Sequence, residues 1–110
     1  MKWYTEVKMS LHGVPVDDDR FAALADALYD VEAQTPDVHD ADLGAGLADG
    51  WLAASMLTEA ADQEAAVRKA IAAVRAAIRR VGGGMPDWDQ LIDRAALTVE
   101  LASERHPAAA

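Results

Sequence analysis

The sequence predicts an α+β domain in the order strand, helix, strand, strand, helix, strand. Three observations carry that reading. Apolar residues alternate with period two in four short segments. They recur at spacings of three and four in two longer ones. An Asp-Gly pair, favoured in two-residue hairpin turns, separates the middle two alternating segments. Strands with one apolar face and helices with one apolar stripe are satisfied together when both helices stack on one side of a four-stranded antiparallel sheet.

The first strand is read over residues 3–12. Trp3, Thr5, Val7, Met9 and Leu11 share one face, and Tyr4, Glu6, Lys8, Ser10 and His12 share the other. Gly13 and Pro15 end it. Asp17-Asp18-Asp19 opens the first helix, where carboxylates cap free N–H groups and meet the positive end of the dipole. Phe21, Leu24, Leu28 and Val31 form its apolar stripe, and Pro36 closes the segment after about Ala33.

The second and third strands are read over 38–47 and 51–59. With Asp49-Gly50 as the whole loop, Leu47 faces Leu52, Ala45 faces Ala54, Leu43 faces Met56 and Ala41 faces Thr58. The opposite face then pairs Ala48 with Trp51, Gly46 with Ala53, Gly44 with Ser55 and Asp42 with Leu57. The second helix starts between Ala60 and Asp62 and runs to Val81, with Val67, Ile71, Val74, Ile78 and Val81 as its stripe. Gly82-Gly83-Gly84 stops it. A loop to about Gln90 carries Met85, Pro86 and Trp88, and the last strand is read over Arg94–Ser103. Residues 1–105 are expected to form a single domain, with 106–110 a frayed tail that includes His106.

Composition narrows the function classes. The hydrophobic share is 52% of 110 residues, but 25 of those residues are Ala, so the core is modest. The absence of Cys excludes disulfides, thiolate metal sites and Cys nucleophiles. No run of apolar residues is long enough to span a bilayer, and the first residues already read as a strand, so a cytoplasmic protein is expected. The net charge is −9, and residues 1–49 carry −8 of it. An acidic surface repels phosphate backbones and anionic lipid, so neither nucleic acid nor membrane is an expected partner.

The order of elements, with the Asp-Gly hairpin between the two central strands, resembles the ferredoxin-like α+β plait, whose strand order is 4-1-3-2. The Ala/Asp/Arg-rich composition is similar to small uncharacterised modules common in actinobacterial proteins. This resemblance is one of pattern, covers nearly the whole chain, and transfers no functional residue.

A plait leaves one sheet face without helices. From the alternation, that face carries Tyr4, Glu6, Lys8, Ser10 and His12, then Trp51, Ala53, Ser55, Leu57 and Glu59. Asp40, Asp42, Gly44, Gly46 and Ala48 follow from the second strand, and Arg94, Ala96, Thr98, Glu100 and Ala102 from the fourth. Trp51, Tyr4 and Leu57 above a floor of Gly44, Gly46, Ala53 and Ser55 suggest an interaction face, because aromatic residues anchor interfaces and small ones admit close approach. The leading expectation is a non-enzymatic interaction module that forms a homodimer through this face. Docking of another protein partner, or a scatter of apolar side chains with no role, are the competing readings. The alternative from another class is a small-ligand binder or enzyme with a sheet-side pocket near His12, Glu6 and Tyr4.

Other motifs read as structural. Arg68, Lys69, Arg75, Arg79 and Arg80 form a basic strip late in the second helix, either a solvated face complementing the dipole or a docking strip for an acidic partner. Asp37, His39, Asp40 and Asp42 have metal-ligand chemistry but poor spacing, because His39 on a strand points away from Asp40 and Asp42. An acidic edge strand explains them better, and neither a metal nor another cofactor is expected. Tyr4 and Trp51 echo the stacking aromatics of RNA-binding sheets, but Glu6, Asp40, Asp42 and Glu100 surround them. Gly82-Gly83-Gly84 follows a helix instead of opening one, so it is no phosphate loop.

Overall fold

The computed structural model describes residues 1–11, 16–46, 48–81, 92 and 94–102. Along the chain lie β1 (Lys2–Ser10), α1 (Asp18–Gln34), β2 (Val38–Gly46), β3 (Trp51–Glu59), α2 (Gln63–Val81) and β4 (Ala96–Leu101). The four strands form one antiparallel sheet in the order β2-β3-β1-β4, which from the opposite edge reads 4-1-3-2. Leu24, Leu28 and Val31 of α1, with Ala70, Ala73, Val74 and Ala77 of α2, share a core with Val7, Met9, Leu43, Leu52, Ala54 and Met56 of the sheet.

The helices begin as their acidic first turns dictate. Asp17 caps α1, its Oδ1 accepting from the Arg20 N–H at 2.8 Å, and Asp62 does the same for Ala65 at 2.8 Å before α2. At the far end of α1, the Thr35 N–H donates to the Glu32 carbonyl ahead of Pro36.

The hairpin forms with a different register from the one expected. Gly46 lies opposite Trp51, Ala45 opposite Leu52 and Leu43 opposite Ala54, a slip of two residues. The connection is therefore the four residues 47–50, closed by an Asp49 N–H to Gly46 carbonyl bond of 3.0 Å, with Gly50 at φ +76°. A slip of two preserves the alternation, so Leu43 and Ala45 still face the helices. The gain is on the other face, where Trp51 meets a glycine instead of Ala48.

A second departure lies within β2. Asp40 and Ala41 together oppose Met56, a bulge in which Asp40 takes φ +52°, a conformation that Asp tolerates better than most side chains. The bulge inverts the alternation. Val38 and Ala41 are both buried, and His39 turns to the helix-free face opposite Leu57. The Ala41 N–H, aimed away from β3, is taken by Glu32 Oε1 of α1 at 2.6 Å.

The buried line of α2 shares only Val74 with the expected stripe. Ala66, Ala70, Ala73, Val74 and Ala77 are buried, Val67, Ile71 and Ile78 are half-buried on the flanks, and Val81 is 37% exposed. Alanines on the contact line let the helix backbone approach its neighbours closely, while the branched side chains wrap around the contact. β4 is shorter than expected, with Arg94 in the turn before it. The expected roles of His12, Leu47, Gly82–Gly84, Met85, Trp88 and the 106–110 tail lie outside the described residues.

Ala70→Leu is expected to lower the free energy of unfolding by about 1–3 kcal/mol through overpacking. Val81→Ala should change it by less than about 0.5 kcal/mol. Urea midpoints at constant slope check both; a larger effect at Val81 would reverse the assignment of the buried line.

Candidate functional site

The helix-free face is an array of cross-strand rows. The first row is His39, Leu57, Tyr4 and Glu100. The next is Asp42, Ser55, Glu6 and Thr98, followed by Gly44, Ala53, Lys8 and Ala96, and then by Gly46, Trp51 and Ser10. All seven residues expected at an interface, Tyr4, Trp51, Ala53, Ser55, Leu57, Gly44 and Gly46, therefore share one face. Two apolar areas, Leu57 with Tyr4 and Trp51 with Ala53, flank the row that carries Asp42 and Glu6.

Of the second-strand residues expected here, Asp42, Gly44 and Gly46 keep their places. Ala48 lies in the turn, Asp40 occupies the bulge, and His39 joins the face. His39 Nε2 stands 3.5 Å from Glu59 Oε2, with both side chains nearly half exposed. The expectation that His39 points away from this face fails because of the bulge. Its sequence signal was the apolar spacing Val38, Ala41, Leu43, Ala45, in which one step of three interrupts steps of two.

The glycine floor is occupied from within the chain. A Cβ on Gly46 would lie 2.2 Å from Trp51 Nε1, and one on Gly44 would lie 4.0 Å from Trp51 Cζ3. The indole thus lies across the two glycines, an arrangement in which an aromatic ring covers backbone that glycine leaves bare. Lys8 Nζ sits 4.7 Å from the ring centroid, a cation–π contact that the alternation alone did not single out. The ring is half-buried and the adjoining Ala53 buried.

The basic strip divides into two lines. Arg68, Arg75 and Arg79 recur at seven and four residues along α2, and Arg68 pairs with Glu64 at 3.2 Å. Lys69 and Arg80 occupy a different side and tie α2 to the rest of the fold. Arg80 donates to the Gln34 side chain, and Lys69 Nζ donates to Asp37 Oδ2 and to the Glu59 carbonyl, both at 2.8 Å. The hydrogen bond from Lys69, with its charge, holds the Asp37 carboxyl below the usual carboxylate range. A shallow groove of about 200 Å³ lies beside this pair, lined by Val31, Thr35, Ala72, Ala73 and Ala76.

Asp37 is thus engaged by α2 while His39 and Asp42 lie on the sheet face. Among the described residues no cluster of three His, Asp or Glu side chains could hold a metal ion. No helix among them is long and apolar enough to cross a membrane. Comparison with protein-family models, curated proteins and solved structures gave no match to this chain.

Two outcomes are expected. Gly46→Ala should drive the indole off β2, shift the Trp51 indole N–H resonance and lower stability by about 1 kcal/mol; an unmoved resonance would contradict the packing. In a carboxyl NMR titration, Asp37 should protonate below the ordinary range, and in Lys69→Met it should move up toward that range. Because the folded-state value is depressed, the pair's contribution is complete above the ordinary carboxylate range and is lost as pH falls through the lowered value. Lys69→Met should therefore be less sensitive to that acid step.

Proposed function

We propose that this chain is a non-enzymatic protein-interaction module that self-associates through the helix-free face of its sheet. The observation that carries the proposal is the central strand β3, which presents Trp51, Ala53, Ser55 and Leu57 in line beside Tyr4 of β1, on the side of the sheet away from α1 and α2. The indole laid across Gly44 and Gly46 supports it further. A ring already held against its own strands loses little freedom when a second surface covers it. Lys2, Lys8 and His39 share the face with Glu6, Asp42 and Glu59, so charges of both signs lie among the apolar residues and can pair across a two-fold contact. The acidic balance of the chain disfavours nucleic acid as the occupant.

We infer that the architecture is a ferredoxin-like plait. The element order and the 4-1-3-2 sheet support that reading, as does the placement of both helices in one core with the sheet.

Size exclusion with light scattering tests the functional reading. The face contact alone gives a mass of about twice 11.7 kDa at high concentration. Leu57→Glu and Trp51→Glu should each lower it with an unchanged far-ultraviolet circular dichroism spectrum. Leu57 matters as the second site because Trp51 also packs within its own chain. A mass unaffected by both substitutions would refute the face as the interface.

A further inference from the structure

The two edges of the sheet are treated differently. The β2 edge is blunted by the Asp40–Ala41 bulge, and its Ala41 N–H is consumed by Glu32. Among the described residues, β4 is paired only with β1. It contains no bulge and no Pro, and its sequence Ala-Leu-Thr-Val-Glu-Leu carries one charge.

The hydrogen-bond alternation tells which β4 groups face outward. The Leu11 N–H donates to the Gly50 carbonyl and the Ala60 N–H to the Met1 carbonyl, so odd-numbered residues of β1 bond toward β3. Its even-numbered residues therefore bond toward β4, where they oppose Ala96, Thr98 and Glu100. The backbone groups of Leu97, Val99 and Leu101 are directed away from the sheet. Leu97 is also 43% exposed, although it stands opposite fully buried Val7 on the helix side.

We propose that β4 pairs antiparallel with β4 of a second copy, centred on Leu97 opposite Leu97, to join two sheets into one of eight strands. Several observations select this occupant and register. An antiparallel two-fold pairing matches a strand to itself, and the outward groups at Leu97 meet their own counterparts as a hydrogen-bonded pair. The two half-exposed leucines then cover each other. The same register sets Glu100 of each copy level with Arg94 of the other, in the turn just before the strand, so charges of opposite sign face each other twice. Thr98 lies opposite Ala96, without a like-charge clash. This edge is distinct from the face formed by Trp51 and Leu57, and the two contacts can form in one assembly.

Residue-resolved amide exchange on the full chain at low and high concentration is the direct test. The N–H groups of Leu97 and Val99 are expected to exchange roughly tenfold more slowly at high concentration. Those of Ala96, Thr98 and Glu100, already bonded to β1, should change little. Fast exchange at Leu97 and Val99 at every concentration overturns the proposal. In light scattering, Leu97→Lys should remove the edge contact and lower the mass. Arg94→Glu should weaken association, and Arg94→Glu combined with Glu100→Arg should restore it. A mass that falls with Leu57→Glu but not with Leu97→Lys assigns association to the face alone and refutes the edge; the reverse result refutes the face and supports the edge.

Discussion

The contact of Trp51 with Gly46 and Gly44 governs the hairpin and, through it, the sheet. The indole lies so close over Gly46 that a Cβ there would overlap the ring. The register that satisfies the ring is two residues away from the one that the tightest Asp-Gly turn would impose. A slip of two leaves every aliphatic side chain on its own face, so the core does not oppose it. The hairpin therefore adopts a four-residue connection and keeps both the core and the aromatic cover.

The second constraint is the alanine line on α2. With Ala66 and Ala70 fully buried, the helix approaches its neighbours through its smallest side chains, and Ile71 and Ile78 close the sides. Such a contact has little volume to spare, so the helix must be held in position at its ends. Lys69 ties it to Asp37 and to the end of β3, and Arg80 ties it to Gln34 at the end of α1. These cations anchor the helix layer internally, which separates them from the exposed Arg68 and Arg79.

Alternation and capping made most of the fold legible. Thr5, Val7, Met9 and Leu11 are buried as the period of β1 requires, and Asp17 caps α1 where three acids precede an apolar stripe. What was not legible depended on side chains meeting across strands. The preference of Trp51 for a glycine partner outweighs a local turn preference, and no single segment contains both residues. The β2 bulge left a trace in the spacing of Val38 and Ala41, but a strictly alternating reading assigns His39 to the wrong face. The α2 stripe was legible in part: Val74 is buried, but close helix approach favours Ala at the centre and leaves Ile71 and Ile78 at the flanks. The seven residues of the candidate face came together because alternation alone places them there.

The charge asymmetry has a structural counterpart. Residues 1–49 carry most of the net negative charge, and they supply β2, whose bulge, Asp40 and Asp42 make a poor template for another strand. The nearly neutral remainder supplies β3, which lines the uncovered face, and β4, which forms the other edge. Trp51, Ala53 and Leu57 on the uncovered face, and the outward backbone groups of β4, thus come from the half of the chain that repels a second copy least. Like-charge repulsion between acidic halves would oppose indiscriminate stacking, while the neutral strands leave a few defined orientations open. With α1 and α2 both on one side of the sheet, that division restricts which copies can meet, and in which register.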